Sequence, residues 1–480
     1  MRSQRALAAC ALVLGLGGLG AASRDAPVEV DAVFASLGSP TMPFVPLGSF
    51  ITSSWFCPGV PAAGVGDAAG SGGSVSITNP SDGAMNGRIT VFSSEPGVTA
   101  VEQPVTVLPR SNTVVDLDVL QPAGAFRSAV VEIDGGGGFV EQTAGHPDGN
   151  AVAACSNSAS SNWYFADGFT ADDSTEQLII TNPYPGYAAV DIGFVTGTGP
   201  RNPVRLQGYP VPGRSVQVVE LVGARDEPVL ATRVTATRGR VVVGRAQNYL
   251  GGGRAGYTMN LGAPSLSSQY WFADGETGPE VSEQFSVFNG SAEDVTVSLV
   301  FLGIPIDSPF LNDTEIDVPA NRVVAIDTAD IAGLPDGRHG AVLSTLGEET
   351  IVVERVLTRP AGDGIATTVV MGSPPELAAT RWSSSVGSDL AIDNVLVVLN
   401  ADGTDALVTI RTLGPGGLVP VAGLTDLPLA AGAVITVPFT DPSMLGRPFV
   451  VESDRRVYVE RLLPRGDDLR GRSGSFALAG

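Results

Sequence analysis

Short apolar runs, each ending in an asparagine, occur four times along the chain: Ile77-Thr78-Asn79-Pro80, Ile180-Thr181-Asn182-Pro183, Val287-Phe288-Asn289-Gly290 and Val398-Leu399-Asn400-Ala401. Asparagine before proline or glycine is turn chemistry at the end of a strand. A second alternating run follows each of these, at 88–92, 190–194, 295–301 and 406–410, with the β-branched content of a half-buried strand. A third comes later, as Phe139-Val140-Glu141, Val241-Val242-Val243-Gly244-Arg245, Ile351-Val352-Val353-Glu354-Arg355 and Val457-Tyr458-Val459-Glu460-Arg461. Gly, Pro, Asp and Ser interrupt the runs and no helical period appears between them. The pattern predicts an all-β chain.

The four tryptophans, Trp55, Trp163, Trp271 and Trp382, stand 108, 108 and 111 residues apart, and such a period marks an array of similar units. Each of the first three opens an aromatic cluster and turn: Trp55-Phe56-Cys57-Pro58-Gly59, Trp163-Tyr164-Phe165-Ala166-Asp167-Gly168 and Tyr270-Trp271-Phe272-Ala273-Asp274-Gly275. Aligning the last two on Phe-Ala-Asp-Gly puts Tyr164, not Trp163, opposite Trp271. Several short strands in roughly 100 residues is the size of an immunoglobulin-like or fibronectin-like β-sandwich. The expected organisation is a signal peptide over 1–23, a lead segment over 24–54, and a tandem array of four sandwich modules over 55–160, 161–267, 268–378 and 379–480. Short proline-bearing joints such as Ala263-Pro264-Ser265 and Ser373-Pro374-Pro375 predict semi-rigid junctions.

The Trp-Tyr-Phe-Ala-Asp-Gly opening, the strand-closing Asn-Pro and the late Val-Val-Glu-Arg together resemble bacterial extracellular repeats that carry Glu where this chain has Asp167 and Asp274. The chain also resembles an uncharacterised actinobacterial secreted family, domain of unknown function 5719. That resemblance implies a secreted, modular all-β protein and brings no activity with it. It is strong in modules two and three, partial in one and weak in four, where Ser383-Ser384-Ser385 replaces the motif.

Arg2, Arg5, an apolar stretch over 6–20 and the small residues Ala21-Ala22-Ser23 read as an export signal, with an uncleaved N-terminal anchor as the alternative. Once Cys10 leaves with the signal, Cys57 and Cys155 form an even pair in an exported chain, which reads as a disulfide. A net charge of −22 argues against sequence-independent binding to nucleic acid. All 28 basic residues are arginine, so lysine-dependent chemistry is excluded; the 271–376 stretch holds four arginines against 18 carboxylates. His146 and His339 lie in turn-like compositions and read as surface loop residues.

Asp167, Asp172 and Asp173, with Asp274, Glu276 and Glu280 in the corresponding loop, are the weak calcium candidates, weighed against solvated turn acids. No cofactor and no catalytic residue is assigned. Arg245, Arg355 and Arg461 recur at one place and are expected to lie across an aromatic ring or to pair with an acid near a module opening. The tryptophans read as core or junction residues, with a sugar-binding platform as the alternative. The sequence-level function is a non-catalytic secreted or envelope protein, structural or adhesive, whose partner class is an envelope protein or glycan. The alternative is a carbohydrate-binding or calcium-dependent binding protein.

Overall fold

The computed structural model describes residues 42–48, 50–64, 70–221, 227–304, 314–386, 394–465 and 471–480. The signal segment 1–23, with Cys10, and the apolar lead residues Val33 and Phe34 lie outside the described residues. What is described is all-β: the α-helix Leu117–Leu120 has four residues, and everything else regular is antiparallel sheet or one of three short 3-10 turns.

Residues 52–154 form two sheets. One has the order Thr52–Phe56, Phe126–Asp134, Met85–Ser93, Val101–Val107, and the other Ser111–Asp116, Gly72–Asn79, Phe139–Gly145, Ala151–Ala154. The same two orders return within 162–261 and within 269–371. From 379 onward a single nine-stranded sheet results, because the 17-residue strand Phe449–Arg465 serves both layers. Its first part pairs with Ala379–Ser384 and Ala406–Gly414, and its second with Val395–Asn400 and Gly471–Phe476.

The two layers differ in burial for a reason that positions the charged residues. Val295–Leu302 alternates buried and half-buried residues, as a strand with one covered face does. Val352–Ala361 is buried at nine of its ten positions, because both of its faces are covered. Neighbouring residues of a strand point to opposite faces, so Glu354 and Arg355 can both be buried while meeting different partners.

The strand-closing asparagines are buried staples between layers. Asn289 Nδ2 donates to the Glu293 carbonyl (2.8 Å) and to the Val318 carbonyl (3.0 Å) at the end of a strand in the other sheet, and its Oδ1 accepts from Ser291 N (2.9 Å). Asn79, Asn182 and Asn400 repeat this geometry on Gly83 and Val107, on Gly186 and Val211, and on Thr404 and Leu429. Asn289→Ala is expected to lower stability by about 2–4 kcal/mol, since it leaves buried carbonyls unpaired; chemical denaturation of the variant measures it.

The four stretches pack against one another. The last strand of each inner layer packs against the next in cyclic order: Ala151–Ala154 against Gly256–Leu261, that strand against Gly364–Met371, that one against Gly471–Phe476, and this last strand back against the first. Asn260 Nδ2 donates to the Val369 carbonyl (2.7 Å), and Val152 N donates to Ser473 Oγ (2.8 Å) across 321 residues of sequence. At the proline-bearing joints Ala263 bridges Tyr164 and Ser373 bridges Trp271, so the chain returns to the opening of its own stretch before entering the next. The lead segment closes the same circuit, with Phe44 bridged to Ala479 and Val45 N donating to the Ala479 carbonyl (2.6 Å).

Candidate functional site

Arg245, Arg355 and Arg461 are buried, and each forms a two-pronged pair with a buried glutamate that comes from the following stretch of chain or, for the last, from the first. Arg245 meets Glu354 (2.8 and 3.0 Å), Arg355 meets Glu460 (2.8 and 3.4 Å), and both terminal nitrogens of Arg461 bond Glu141. Burial works against the charge on Arg245, and the Glu354 carboxylate is the largest of the charges that offset it, so the arginine stays protonated. Arg245 also lies over the Phe165 ring at 5.0 Å and Arg355 over Phe272 at 5.6 Å. Arg245 and Arg355 thus each have an aromatic and an acidic neighbour, and in all three pairs the acid belongs to a different stretch of chain from the arginine.

The opening motif gains a physical meaning from this geometry. Ala166 N and Asp167 N donate to Glu354 Oε2 at 2.8 and 2.7 Å, and Ala273 N and Asp274 N donate to Glu460 Oε1 at 2.6 and 3.3 Å. In the last stretch Ser385 N (2.5 Å), Val386 N (3.1 Å) and Ser384 Oγ (3.1 Å) receive Glu141 in the same way. The turn after the aromatic cluster is therefore a carboxylate receptor made of backbone N–H groups, and charge-assisted bonds of this kind are among the stronger ones in a protein.

One seam departs from the pattern at all three places at once. Proline 58 offers no N–H, Gly244 stands where the other late strands have glutamate, and Gln142 stands where they have arginine. A Cβ at Gly244 would lie 2.6 Å from the Pro58 ring, so the two stretches meet by close backbone approach. Gln142 instead clamps Gly59, donating to its carbonyl (2.5 Å) and accepting from its N–H (2.9 Å). The Cys57–Cys155 disulfide, spanning 98 residues, sits in this same opening. Breaking a buried ion pair leaves an uncompensated charge, so only concerted loss of arginine, glutamate and N–H donors is tolerated.

Several residues singled out from sequence turn out differently. Asp167 and Asp274 are buried, not solvated turn acids: Asp167 receives Arg254 (3.2 Å), Tyr249 Oη (3.2 Å) and Ser286 Oγ (3.1 Å), and Asp274 receives Arg359 (2.9 and 3.1 Å). Burial pushes the Asp274 carboxyl up, but Arg359, Arg338 and Arg355 more than offset this and hold it well below the usual carboxylate range. Glu276 is held by Arg359 as well. Asp172, Asp173 and Glu280 are exposed turn residues at positive φ. Among the described residues no three His, Cys, Asp or Glu side chains converge as a metal site, so the calcium candidates are spent on arginines or dispersed.

The histidines are not surface loop residues either. His339 lies inside the strand Gly337–Thr345, fully buried, with Nε2 2.8 Å from Glu283 and its ring edge-on to Phe301; His146 is buried and stacked on Tyr257 at 4.4 Å. Trp55, Trp163 and Trp382 are buried, with Trp163 and Trp382 donating to the carbonyls of Val241 and Val457 (both 2.8 Å). Trp271 is half-buried and stacks on Tyr458 at 5.2 Å, while Tyr270 takes the buried position opposite Leu343 that Trp163 takes opposite Val234.

Sequence reasoning missed Glu176, two residues before the Leu178–Asn182 run. It is buried, and neither carboxylate oxygen makes a hydrogen bond of ordinary geometry among the described residues. Burial pushes its carboxyl up to about 8; Arg245 pulls the other way, and the negative charges of Asp167 and Glu354 add to the rise. The corresponding Glu283 has His339 as partner, with room left by Gly275. The polar residue that precedes each of these apolar runs, Glu176 in Thr175-Glu176-Gln177 and Glu283 in Ser282-Glu283-Gln284, was the available signal.

Spaces of different size lie along the strands Ala151–Ala154, Gly256–Leu261, Gly364–Met371 and Gly471–Phe476. One cavity of about 80 Å³, with Met42 and Pro43 among its lining residues, is walled by apolar residues of all four strands. A cleft of about 590 Å³ at the hairpin ends is bordered by Asp148, Tyr249, Leu250 and Asp363. Among the described residues no helix is long and apolar enough to cross a membrane, which says nothing about strands that do.

Residues 139–253 match a family described as a family of unknown function, DUF5719. No curated protein matches the chain. Among solved structures, that of Thermotoga maritima 1070 is similar at 14% identity over 23% of this chain and 96% of its own, with a TM-score of 0.20. The Streptomyces avermitilis alpha-L-rhamnosidase complexed with L-rhamnose is similar at 9% identity over 79% of this chain and 55% of its own, with a TM-score of 0.12. Scores this low carry no argument about fold or activity.

Proposed function

We propose that this chain is a non-catalytic exported scaffold, structural or adhesive, built of four immunoglobulin-like sandwich modules locked into a closed circuit. The observation that carries this reading is the use of the charged inventory: Arg245, Arg355, Arg461, Glu141, Glu354 and Glu460 are all buried and paired with one another across module boundaries. Groups sealed in this way have no path to a substrate, and they fix which faces meet. A disulfide in the first module suits an oxidising compartment, in the envelope or outside the cell. Actinobacterial origin remains part of this reading as what the family resemblance implies, and the arginine-only, Ala- and Gly-rich composition suits a GC-rich genome.

The binding alternative is best served by the cleft bordered by Asp148 and Asp363. Fractionation of the producing cell, joined to calorimetric titration with calcium and a glycan panel, tests both. The scaffold reading expects the chain in the envelope or culture fluid and no saturable heat. Exclusively cytoplasmic chain would overturn export, and saturable heat abolished by Asp148→Asn with Asp363→Asn would replace the scaffold by a binding protein.

A further inference from the structure

The sheet that holds the opening strand of each stretch has an outward face, and the charges on these four equivalent faces are not distributed alike. In the first stretch Arg88 stands opposite Glu132, and its Nε donates to that carboxylate (3.1 Å). In the last, Glu452 takes Arg411 (2.7 Å) and Arg381 together. Both of these faces neutralise their own arginines.

The second and third faces do not. Val190, Ile192 and Phe194 are buried, so the alternate residues of Ala188–Thr196 and the residues paired with them point outward. Arg233, opposite Gly193, and Arg238, opposite Ala189, therefore share one surface, and both are exposed. Neither is in an ion pair among the described residues: Arg238 lies over the exposed Tyr187 ring at 4.0 Å, and Asp191, an acid of this face, accepts from Gly208 N (2.6 Å) instead. In the third stretch Val295, Val297 and Leu299 fill the core, which turns Thr296 and Ser298 outward together with their partners Asp317 and Glu315. Both acids are exposed, Asp317 accepts from Thr296 Oγ1 (2.8 Å), and no arginine pairs with either among the described residues. One face is left cationic and its counterpart anionic while the circuit is closed, so the opposite charge has to come from outside the chain. Complementary charge of this kind steers encounter and fixes register.

We propose that the arginine face of the second stretch docks on the acid face of the third stretch of another copy of this chain, with Arg233 and Arg238 meeting Glu315 and Asp317. The two faces are different, so the contact is heterologous: a pair of copies keeps one free face of each sign, and association continues beyond the pair. The proposal deepens the scaffold reading, on which it rests, by naming a second copy as the partner. A net charge of −22 on each copy opposes association, but at about 0.1 M salt a screening length of about 10 Å removes most of that long-range repulsion and spares charges in contact.

Sedimentation equilibrium of the full chain at about 0.1 M salt is expected to show a concentration-dependent series of multimers that disperses at about 1 M. Arg233→Glu with Arg238→Glu should weaken association about ten-fold or more, as should Glu315→Arg with Asp317→Arg, and an equimolar mixture of the two variants should restore it. All four positions are exposed, and a melting curve like that of wild type shows each variant to be folded. Wild type that stays monomeric up to about 0.1 mM overturns the proposal, as does association that survives both reversals, or a mixture that does not reassociate. None of these outcomes bears on fractionation or on the calcium and glycan titrations, so failure of this contact is distinguishable from failure of the scaffold reading.

Discussion

Replacing Glu354 by alanine is expected to lower the unfolding free energy by about 3–5 kcal/mol, the usual effect of removing one partner of a buried pair. Three groups lose their acceptor together: the Arg245 guanidinium and the N–H groups of Ala166 and Asp167. The guanidinium is fully buried and no water reaches it, so its charge stays uncompensated. Glu354→Ala with Arg245→Met should recover part of the loss, because it removes the orphaned charge while leaving the space vacated by the glutamate unfilled. Denaturant unfolding of the two variants checks both statements, and a loss below about 1 kcal/mol for Glu354→Ala would place the pair among the weak surface type.

The second large effect depends on pH. With its carboxyl pushed from the ordinary 4.5 up to about 8, Glu176 is protonated in the folded chain at neutral pH and ionised in the unfolded one. Below about 4.5 both states hold the proton and the residue makes no pH-dependent contribution. As pH rises the unfolded state loses its proton first, so stability falls until the folded state also ionises near 8, where the penalty levels off. The span between the two values corresponds to about 4–5 kcal/mol. Glu176→Gln cannot ionise, so relative to wild type it should gain stability steadily from acid to about pH 8 and then no further. A difference curve that is flat over that range would show that Glu176 is not held protonated.

The all-β class was legible because two-residue alternation and asparagine turns are local signals, and the asparagines close strands as their sequence context implies. The recurrence of Arg245, Arg355 and Arg461 pointed to one shared role, and the alignment on Phe-Ala-Asp-Gly placed Tyr270 where Trp163 stands. Closure was not legible, since the partner of Arg461 lies 320 residues away and no local pattern encodes such a separation. A signal for it nevertheless exists in the joint change of Pro58, Gln142 and Gly244, which makes sense only if those three positions meet. His339 was misplaced because Asp336-Gly337-Arg338-His339-Gly340 has the composition of a turn. In the fold Gly275 stands opposite His339 and leaves room for the ring, and Glu283 supplies the partner that lets an imidazole be buried. The calcium candidates failed for a related reason: acids in corresponding loops look like ligands until the arginines facing them, Arg254 and Arg359, are brought in from distant strands.

The central claim is that the first and last stretches of the chain are locked together by Glu141 and Arg461, and a double-mutant cycle across this pair tests it most directly. Unfolding free energies of wild type, Glu141→Gln, Arg461→Met and the double variant give the coupling between the two side chains. Closure predicts a coupling of about 2–3 kcal/mol, as expected for residues in direct contact within one buried network. A coupling within about 0.5 kcal/mol of zero, the value for independent sites, would mean that the two ends do not meet and that the circuit is open.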